Sequence, residues 1–344
     1  PGRDDDEADS DDDEEDKASL LSSAPSQSPE ALAASAERKH VWHGWLRALL
    51  VGEQAPRPSP SAAARVVRDL LHYLLHYALQ TLLGRLRPLQ PPADAAPALP
   101  AEPPADARGA PRLISVVVPT YNEAETVAET CRRVLELDDH AEVIVTDGGS
   151  SDGTQERAEA AGARVVSGAS GRAACMNAGA SAARGDLLLF LHGDTVLPAG
   201  YGDAVRAALA DGSVAVCAFS LRLEPRLPLL WVVEWGANAR SRWRSMPYGD
   251  QALSFRRATF EALGGFPQQQ MLEDVDLVAA VLARRGLIRT LDSAVVTSSR
   301  RWVKFGVVGN TLRNQLVLIG HSLGVPVPRL ARWYYGGASG VKSY

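Results

Sequence analysis

Leu113-Ile114-Ser115-Val116-Val117-Val118 runs directly into Pro119-Thr120-Tyr121-Asn122-Glu123. The first six residues are short, apolar and rich in β-branched side chains, which suits a strand buried on both faces of a parallel sheet. Pro119 cannot donate to a strand ladder and so closes the strand. The same pattern returns downstream. Ala141–Thr146 (AEVIVT) reads as a second buried strand ending at Asp147, Ala163–Ser167 (ARVVS) as a third, and Leu187–Leu191 (LLLFL) as a fourth ending at His192-Gly193-Asp194. Helices are expected between them, at about 124–136, 152–162 and 171–183. Strands alternating with helices imply an α/β fold with a doubly wound, mostly parallel sheet flanked by helices. Such sheets bind ligands beyond the carboxyl ends of their strands. The polar clusters 119–123, 147–154 and 192–195 all fall at those ends.

Each cluster has a chemical reading and a plain one. In Pro119–Glu123, Tyr121 offers a flat face to a base and Asn122 and Glu123 offer hydrogen bonds, while Asn122 as a helix N-cap explains the same residues. In Asp147-Gly148-Gly149-Ser150-Ser151-Asp152-Gly153-Thr154 the glycines let backbone approach a ligand, and Asp147 at a strand end can accept from a base or ribose; an ordinary glycine-rich turn with Asp152 as a cap would look alike. Gly149 stands where a haloacid-dehalogenase phosphatase needs a second aspartate. No G-x-G-x-x-G follows the first strand, which argues against a dinucleotide-binding oxidoreductase. Arg172, at the start of the helix before the fourth strand, can hold a phosphate or be a surface residue. Asp194, one turn past LLLFL, can bind Mg2+ or Mn2+ bridging a diphosphate, with His192 as a second ligand or a neighbour; Asp194 also fits a helix cap. Glu273-Asp274-Val275-Asp276 opens an apolar-periodic helix. These acids suit a helix N-terminus, and a carboxylate there can also take the proton of an attacking hydroxyl.

Taken together, these motifs resemble the inverting family-2 glycosyltransferases of GT-A fold. The resemblance runs from about Ile114 to at least Trp302. It is nearest to a short, single-domain, mainly bacterial subgroup whose motifs here are Pro119–Glu123, Asp147–Asp152, His192–Asp194, Gly249-Asp250-Gln251, Glu273-Asp274 and Arg300-Arg301-Trp302. The ending Leu330-Ala331-Arg332-Trp333-Tyr334 is also similar to that subgroup's. The resemblance implies that Pro119, Tyr121 and Glu123 line a base and ribose pocket, that Asp147 binds the base, and that Arg172 contacts the nucleotide. It implies that Asp194, with His192, holds a divalent metal, Mn2+ or Mg2+, on the diphosphate. Asp274 would be the catalytic base with Glu273 beside it, and Arg300, Arg301 and Trp302 would sit near the diphosphate or acceptor. His192 stands where many members carry Asp, and the glutamine of a Q-x-x-R-W segment is missing, since Thr297-Ser298-Ser299 precede Arg300. The chain therefore reads as a single-sugar transferase rather than a processive synthase. A nucleotidyltransferase is disfavoured because Pro119-Thr120-Tyr121 replaces its glycine-rich loop. A catalytically inactive adaptor is disfavoured because Asp147, Asp194 and Asp274 are all present.

The flanks differ in composition from this region. Residues 1–17 hold eleven acids against two bases, whereas 284–344 hold ten bases against the single acid Asp292. Residues 1–60 are acidic, then Pro-, Ser- and Ala-rich, and are expected to be disordered. An amphipathic helix is expected over 61–88, with Val66, Leu70, Tyr73, Leu74, Tyr77 and Leu82 on its apolar face. Its His72 and His76 have chelate spacing, but no third ligand is near, so they read as helix surface. A Pro/Ala-rich linker follows at 89–111. The catalytic domain is expected over 112–302, with a nucleotide-binding half at 112–200 and an acceptor half at 201–302. Residues 303–344 read as an amphipathic segment that either packs on that domain or lies on a membrane supplying a lipid or lipid-linked acceptor. The basic stretch lacks any nucleic-acid-binding module. Cys131, Cys175 and Cys217 are widely spaced and read as small core residues. No apolar run reaches the ~18 residues of a membrane-spanning helix. The first residue is Pro1 rather than Met, so the location stays open between the cytoplasmic side and an organelle.

Overall fold

β1 (Ile114–Thr120) is buried along its whole length and takes a parallel partner on each side, β2 (Ala141–Asp147) and β4 (Leu187–Phe190). These relations come from a computed structural model that describes Leu99, residues 111–227 and residues 230–336. β3 (Arg164–Ser167) adds to β2, again parallel. Helices α1 (Val127–Leu137), α2 (Thr154–Ala160) and α3 (Arg172–Ala182) connect these four strands. The strands match the sequence expectation to within one or two residues.

The second half of the sheet breaks the parallel pattern. After β5 (Thr195–Val196) and α4 (Tyr201–Ala210), the long β6 (Val214–Glu224) leads to α5 (Leu230–Arg244). Then come β7 (Ser254–Arg256), α6 (Arg257–Leu263), α7 (Glu273–Ala283) and β8 (Leu287–Ser298). The described residues form one eight-stranded sheet in the order β3-β2-β1-β4-β7-β6-β8-β5. β7 runs antiparallel to both β4 and β6, β6 and β8 are parallel, and β5 is antiparallel to β8. Parallel pairing thus prevails, and it is densest in the first half.

Two apolar layers cover the faces. One joins Val116, Val118, Leu189 and Phe219 to α1 and α4; the other joins Val117, Phe190, Phe255 and Phe266 to α3, α6 and α7. Gly179 lets α3 lie against β1 and β2: a Cβ there would overlap Val117 and stand 2.9 Å from Thr146 Cγ2. The three cysteines are buried and form no disulfide, as expected of core residues; burial raises Cys131 to about 11 and Cys217 to about 12, so both stay protonated.

Three C-terminal helices complete the description: α8 (Arg300–Phe305), α9 (Val307–Ser322) and α10 (Val327–Tyr335). They pack on the sheet domain. His321 Nε2 lies 2.7 Å from Asp276 Oδ1 on α7, Tyr334 Oη donates to Asn314 Oδ1 at 2.8 Å, and Val317, Leu330 and Ala331 bury Met271. Packing on the domain is one of the two readings that the sequence left open for 303–344. The acidic extension 1–60, the expected helix 61–88 with His72 and His76, and most of the linker 89–111 lie outside the described residues. Leu99 is described, and it packs against the second apolar layer. Among the described residues no helix is long and apolar enough to cross a membrane.

Candidate active site

β1 and β2 are in register through Thr120 and Asp147, so the two strand ends present their loops side by side. Asp147 is fully buried. It accepts from Gly149 N (3.0 Å), Ser150 N (2.8 Å), Ser150 Oγ (2.5 Å), Gln155 Nε2 (2.8 Å) and Thr120 Oγ1 (3.3 Å). Burial alone would raise its carboxyl, but these donors hold it below the usual range. Asp147 therefore braces its own loop. Asn122, at φ 54°, pins that loop from the other strand: its amide donates to Ser150 Oγ, and its Oδ1 accepts from Ser151 N at 3.0 Å. Asn122 is not a helix cap, because α1 begins only at Val127, capped by Thr126. Asp152 does sit beside a helix start, bonding Thr154 and the Ala124 amide.

A cleft of about 550 Å3 opens where β1, β4 and β8 end. Pro119, Glu123, Arg172, His192 and Asp194 line it from the first half of the chain. Asp250, Asp274, Arg300, Arg301 and Trp302 line it from the second, and α5, α9 and α10 close its sides. Tyr121, Asp147 and Glu273 lie outside this lining, although Glu273 holds Arg172 in place from behind.

The turn His192-Gly193-Asp194 is fixed by Leu191 N donating to Val117 O (2.9 Å) and Thr195 N donating to His192 O (3.0 Å). Thr195 Oγ1 meets Thr297 Oγ1 at 2.8 Å, which brings the end of β8 and the start of α8 beside Asp194. Arg300 uses this nearness: its guanidinium lies 2.7 Å from Glu123 Oε1 and 3.3 Å from Asp194 Oδ2. The hydrogen bond to Glu123, together with both negative charges, raises its pKa further. Residues 123, 194 and 300, far apart in sequence, thus form one ion-pair cluster at the mouth.

Deeper in, Arg172 Nε donates to the buried carboxylate of Glu273. Burial pushes Arg172 down, but Glu273 and Asp274 outweigh it and keep the guanidinium charged. Burial lowers His192 to about 4, reinforced by Arg172 and Arg301 and opposed by Asp194 and Asp274. Its imidazole is therefore neutral near pH 7. Asp274 accepts from Gly249 N at 2.6 Å and from Val275 N at 2.9 Å. A Cβ on Gly249 would come within 3.1 Å of Asp274 Oδ2 and 3.2 Å of His192 Nε2, so this glycine lets three segments meet.

Asp250 is a site residue to which the sequence reading gave no role. Its Oδ1 is buried without a hydrogen-bond partner among the described residues. Burial lifts its carboxyl to about 6; the charge of Asp274 adds to this, and Arg240 and Arg172 oppose it. Its neighbour Gln251 is structural, donating to Phe219 O at 2.8 Å and accepting from Ser241 Oγ at 2.6 Å. The available signal was Gly249-Asp250-Gln251 itself, an acid set between a glycine and a fixed amide.

The donor set tests the expected metal. Asp194 faces the cleft and already holds one cation, the Arg300 guanidinium, and His192 is a neutral imidazole beside it. Among the described residues no group of three His, Cys, Asp or Glu side chains could hold a metal ion. The site therefore fits a Mg2+-type ion that takes one or two protein ligands and completes its shell with substrate phosphates and water. It does not fit an all-protein cage.

The fold and the site together define a mixed α/β domain whose strand ends gather acids and arginines around one cleft. Residues 115–254 match the family model described as Glycosyl transferase family 2. Residues 115–254 thus read as a family-2 glycosyltransferase domain. Among curated proteins, it is similar to Glycosyltransferase AglJ of Haloferax volcanii, at 50% identity over 56 residues, covering 16% of this chain and 18% of that protein. It is also similar to glucosyl-3-phosphoglycerate synthase of Mycolicibacterium paratuberculosis, at 36% identity over 104 residues, covering 27% and 32%. The matched stretch thus spans less than a third of either relative's length. Among solved structures, glucosyl-3-phosphoglycerate synthase from Mycobacterium tuberculosis, in complex with Mn2+, UDP and glucosyl-3-phosphoglycerate, aligns with a TM-score of 0.48 and 23% identity, covering 62% of this chain and 81% of that one. The mannosyltransferase PcManGT from Pyrobaculum calidifontis, in complex with GDP-Man and Mn2+, aligns with a TM-score of 0.47 and 24% identity, covering 68% and 67%.

Proposed function

We propose that the protein transfers a single sugar from a nucleotide diphosphate sugar to an acceptor hydroxyl, with inversion at the anomeric carbon. The observation that carries this reading is the gathering of arginines and carboxylates in one cleft. Arg172, Arg300, Arg301 and Asp194 line it and suit a departing diphosphate, and Asp250 and Asp274 line the same cleft and suit a base for an attacking hydroxyl. The family match and both curated relatives, one named a glycosyltransferase and the other a glucosyl-3-phosphoglycerate synthase, support the same class.

The acceptor oxygen attacks the anomeric carbon as the bond from that carbon to the diphosphate breaks, and the acceptor proton passes to a carboxylate. Pro119, Tyr121 and Glu123 serve the base and ribose, while Asp147 shapes the loop beside them. The fixed charges of Arg172 and Arg301 favour the negative charge that develops on the diphosphate. Trp302 lines the same cleft, near the diphosphate or the acceptor. A divalent cation, Mn2+ or Mg2+, would be held by Asp194 with His192 close by, and when bound would neutralise the departing diphosphate. Arg300 would then turn from Asp194 toward the phosphates.

Asp274 is the base that the sequence implies, with Glu273 behind it holding Arg172. A specific observation favours Asp250 for the same role. Asp274 accepts two backbone hydrogen bonds that stabilise its anionic form, whereas Asp250 carries an unbonded oxygen and titrates near 6, close to the pH at which a base is most effective. The test is the linkage formed on a hydroxyl acceptor with a series of nucleotide sugars, read by NMR. Transfer with the anomeric configuration inverted supports the proposal. Retained configuration, or no nucleoside diphosphate released from any donor, contradicts it.

A further inference from the structure

Helix α5 lines the cleft and presents an unusual outer face. Its inner side is clamped to β6. Asn238 exchanges hydrogen bonds with Leu221 N (2.7 Å) and Leu221 O (3.0 Å), Glu234 accepts from Leu223 N (2.7 Å), and Leu230, Ala237 and Ser241 are buried. On the side away from β6, Trp231, Trp235 and Trp243 are 63%, 61% and 65% exposed, with Val232 exposed beside them; Trp235, Trp243 and Val232 also line the cleft. At 3.6 residues per turn these positions fall on one face, opposite the buried one. The rings of Trp235 and Trp243 touch edge to face, 6.0 Å apart. An indole carries a broad apolar body and one polar N–H, which suits the boundary between water and lipid.

The opposite side of the same cleft supplies an independent observation. Helices α8 to α10, residues 300–336, contain six Lys and Arg and no Asp or Glu. They also expose Val303, Leu316, Leu323 and Val325. Arg244 adds an exposed base at the end of α5. One rim is therefore tryptophan-rich, and the other is cationic and apolar without any acid. A surface of that composition is complementary to anionic lipid headgroups.

We propose that the protein docks on an anionic bilayer through Trp231, Trp235 and Trp243, with helices α8 to α10 as the basic counterpart, so that the cleft takes its acceptor hydroxyl from a lipid. The choice of acceptor rests on the function proposed above; the docking does not. The tryptophans enter the headgroup region, the exposed bases Arg244, Lys304, Arg329 and Arg332 meet lipid phosphates, and the clamped face of α5 keeps the cleft mouth at the membrane.

The experiment uses the full chain with phosphatidylcholine vesicles, with and without phosphatidylglycerol. It follows co-sedimentation and the tryptophan emission. The wild type should sediment with the phosphatidylglycerol vesicles, weaken as salt rises, and shift its emission to the blue. W231S/W235S/W243S should partition at least about tenfold more weakly while keeping its melting temperature, and W231S, at the one tryptophan of the three outside the cleft lining, should also weaken partitioning while keeping the donor-induced thermal shift. Equal partitioning by wild type and variant, or none by the wild type, overturns the docking. So do a concentration-dependent dimer that the variant abolishes, and emission already blue and protected from acrylamide without vesicles, because another protein surface then covers the tryptophans. Vesicle binding without any nucleotide-sugar binding would leave the docking standing and remove the proposed function; the reverse result would do the opposite.

Discussion

Replacing Asp250 with Asn isolates the one carboxyl in the cleft that burial has lifted to about 6. An ordinary aspartate titrates near 3.8, so the folded state prefers the neutral form. The stability this acid supports is complete below about pH 4 and is lost as the pH rises through about 6. Above that, the buried charge costs about 3 kcal/mol, since each unit is worth 1.36 kcal/mol. Asn keeps the shape and carries no charge at any pH. D250N should therefore melt higher than wild type at pH 8, by several degrees given about 2–4 °C per kcal/mol for a domain of this size. The gain should fade toward pH 4.5. Differential scanning fluorimetry across that range reads it directly. The same variant should lose transfer activity, so that stability and turnover move in opposite directions. An unchanged or lower melting temperature at pH 8, or a gain of equal size at pH 4.5, refutes the reasoning.

Three further outcomes follow from the geometry. D194A should lose the metal-dependent part of donor affinity, at least about tenfold by calorimetry with and without Mn2+; equal affinity in both conditions removes the metal assignment. D274N should bind donor as wild type does, yet lower kcat by about 10²–10⁴ if Asp274 is the base, whereas a variant that keeps turnover while D250N is dead assigns the proton to Asp250. G179A should destabilise the domain by about 1–3 kcal/mol in chemical denaturation, because the new methyl overlaps Val117 behind β1; an unaffected midpoint would mean that α3 does not sit as described.

The first half of the domain was legible because its strands are short buried runs, although β1 continues through Pro119 to Thr120 where the sequence reading ended it at Val118. Leu187–Phe190 and Ile114–Thr120 hardly differ from their expected spans. The second half was harder, because β6, β7 and β8 mix parallel and antiparallel pairing, and which edge a strand joins is a long-range choice that local pattern does not encode. Helix α5 escaped notice for a related reason. Its tryptophans and Val232 fall on the side away from its buried face, whereas Val233 packs against the core, so its apolar residues follow no single helical stripe. The residue types of the site were readable and their partners were not. Asp147 was expected to bind the base, and the sequence could not show that the hydroxyls of Thr120 and Ser150, two backbone amides and Gln155 all donate to it. Arg300 was expected near the diphosphate, and its ion pairs with Glu123 and Asp194 depend on contacts across 177 and 106 positions, which the β5–β8 pairing brings together. Asp250 had no local mark of burial, since its raised pKa comes from the packing around the cleft.

The most direct test of the central claim is a thermal-shift screen of nucleotide diphosphate sugars with and without Mn2+. A ligand at about 100 times its Kd stabilises by about 2.7 kcal/mol, which is several degrees of Tm. A shift for one donor that grows with Mn2+, and whose Mn2+-dependent part vanishes in D194A, is the predicted result. No shift with any donor, in either condition, would contradict the reading of the cleft as a sugar-nucleotide site.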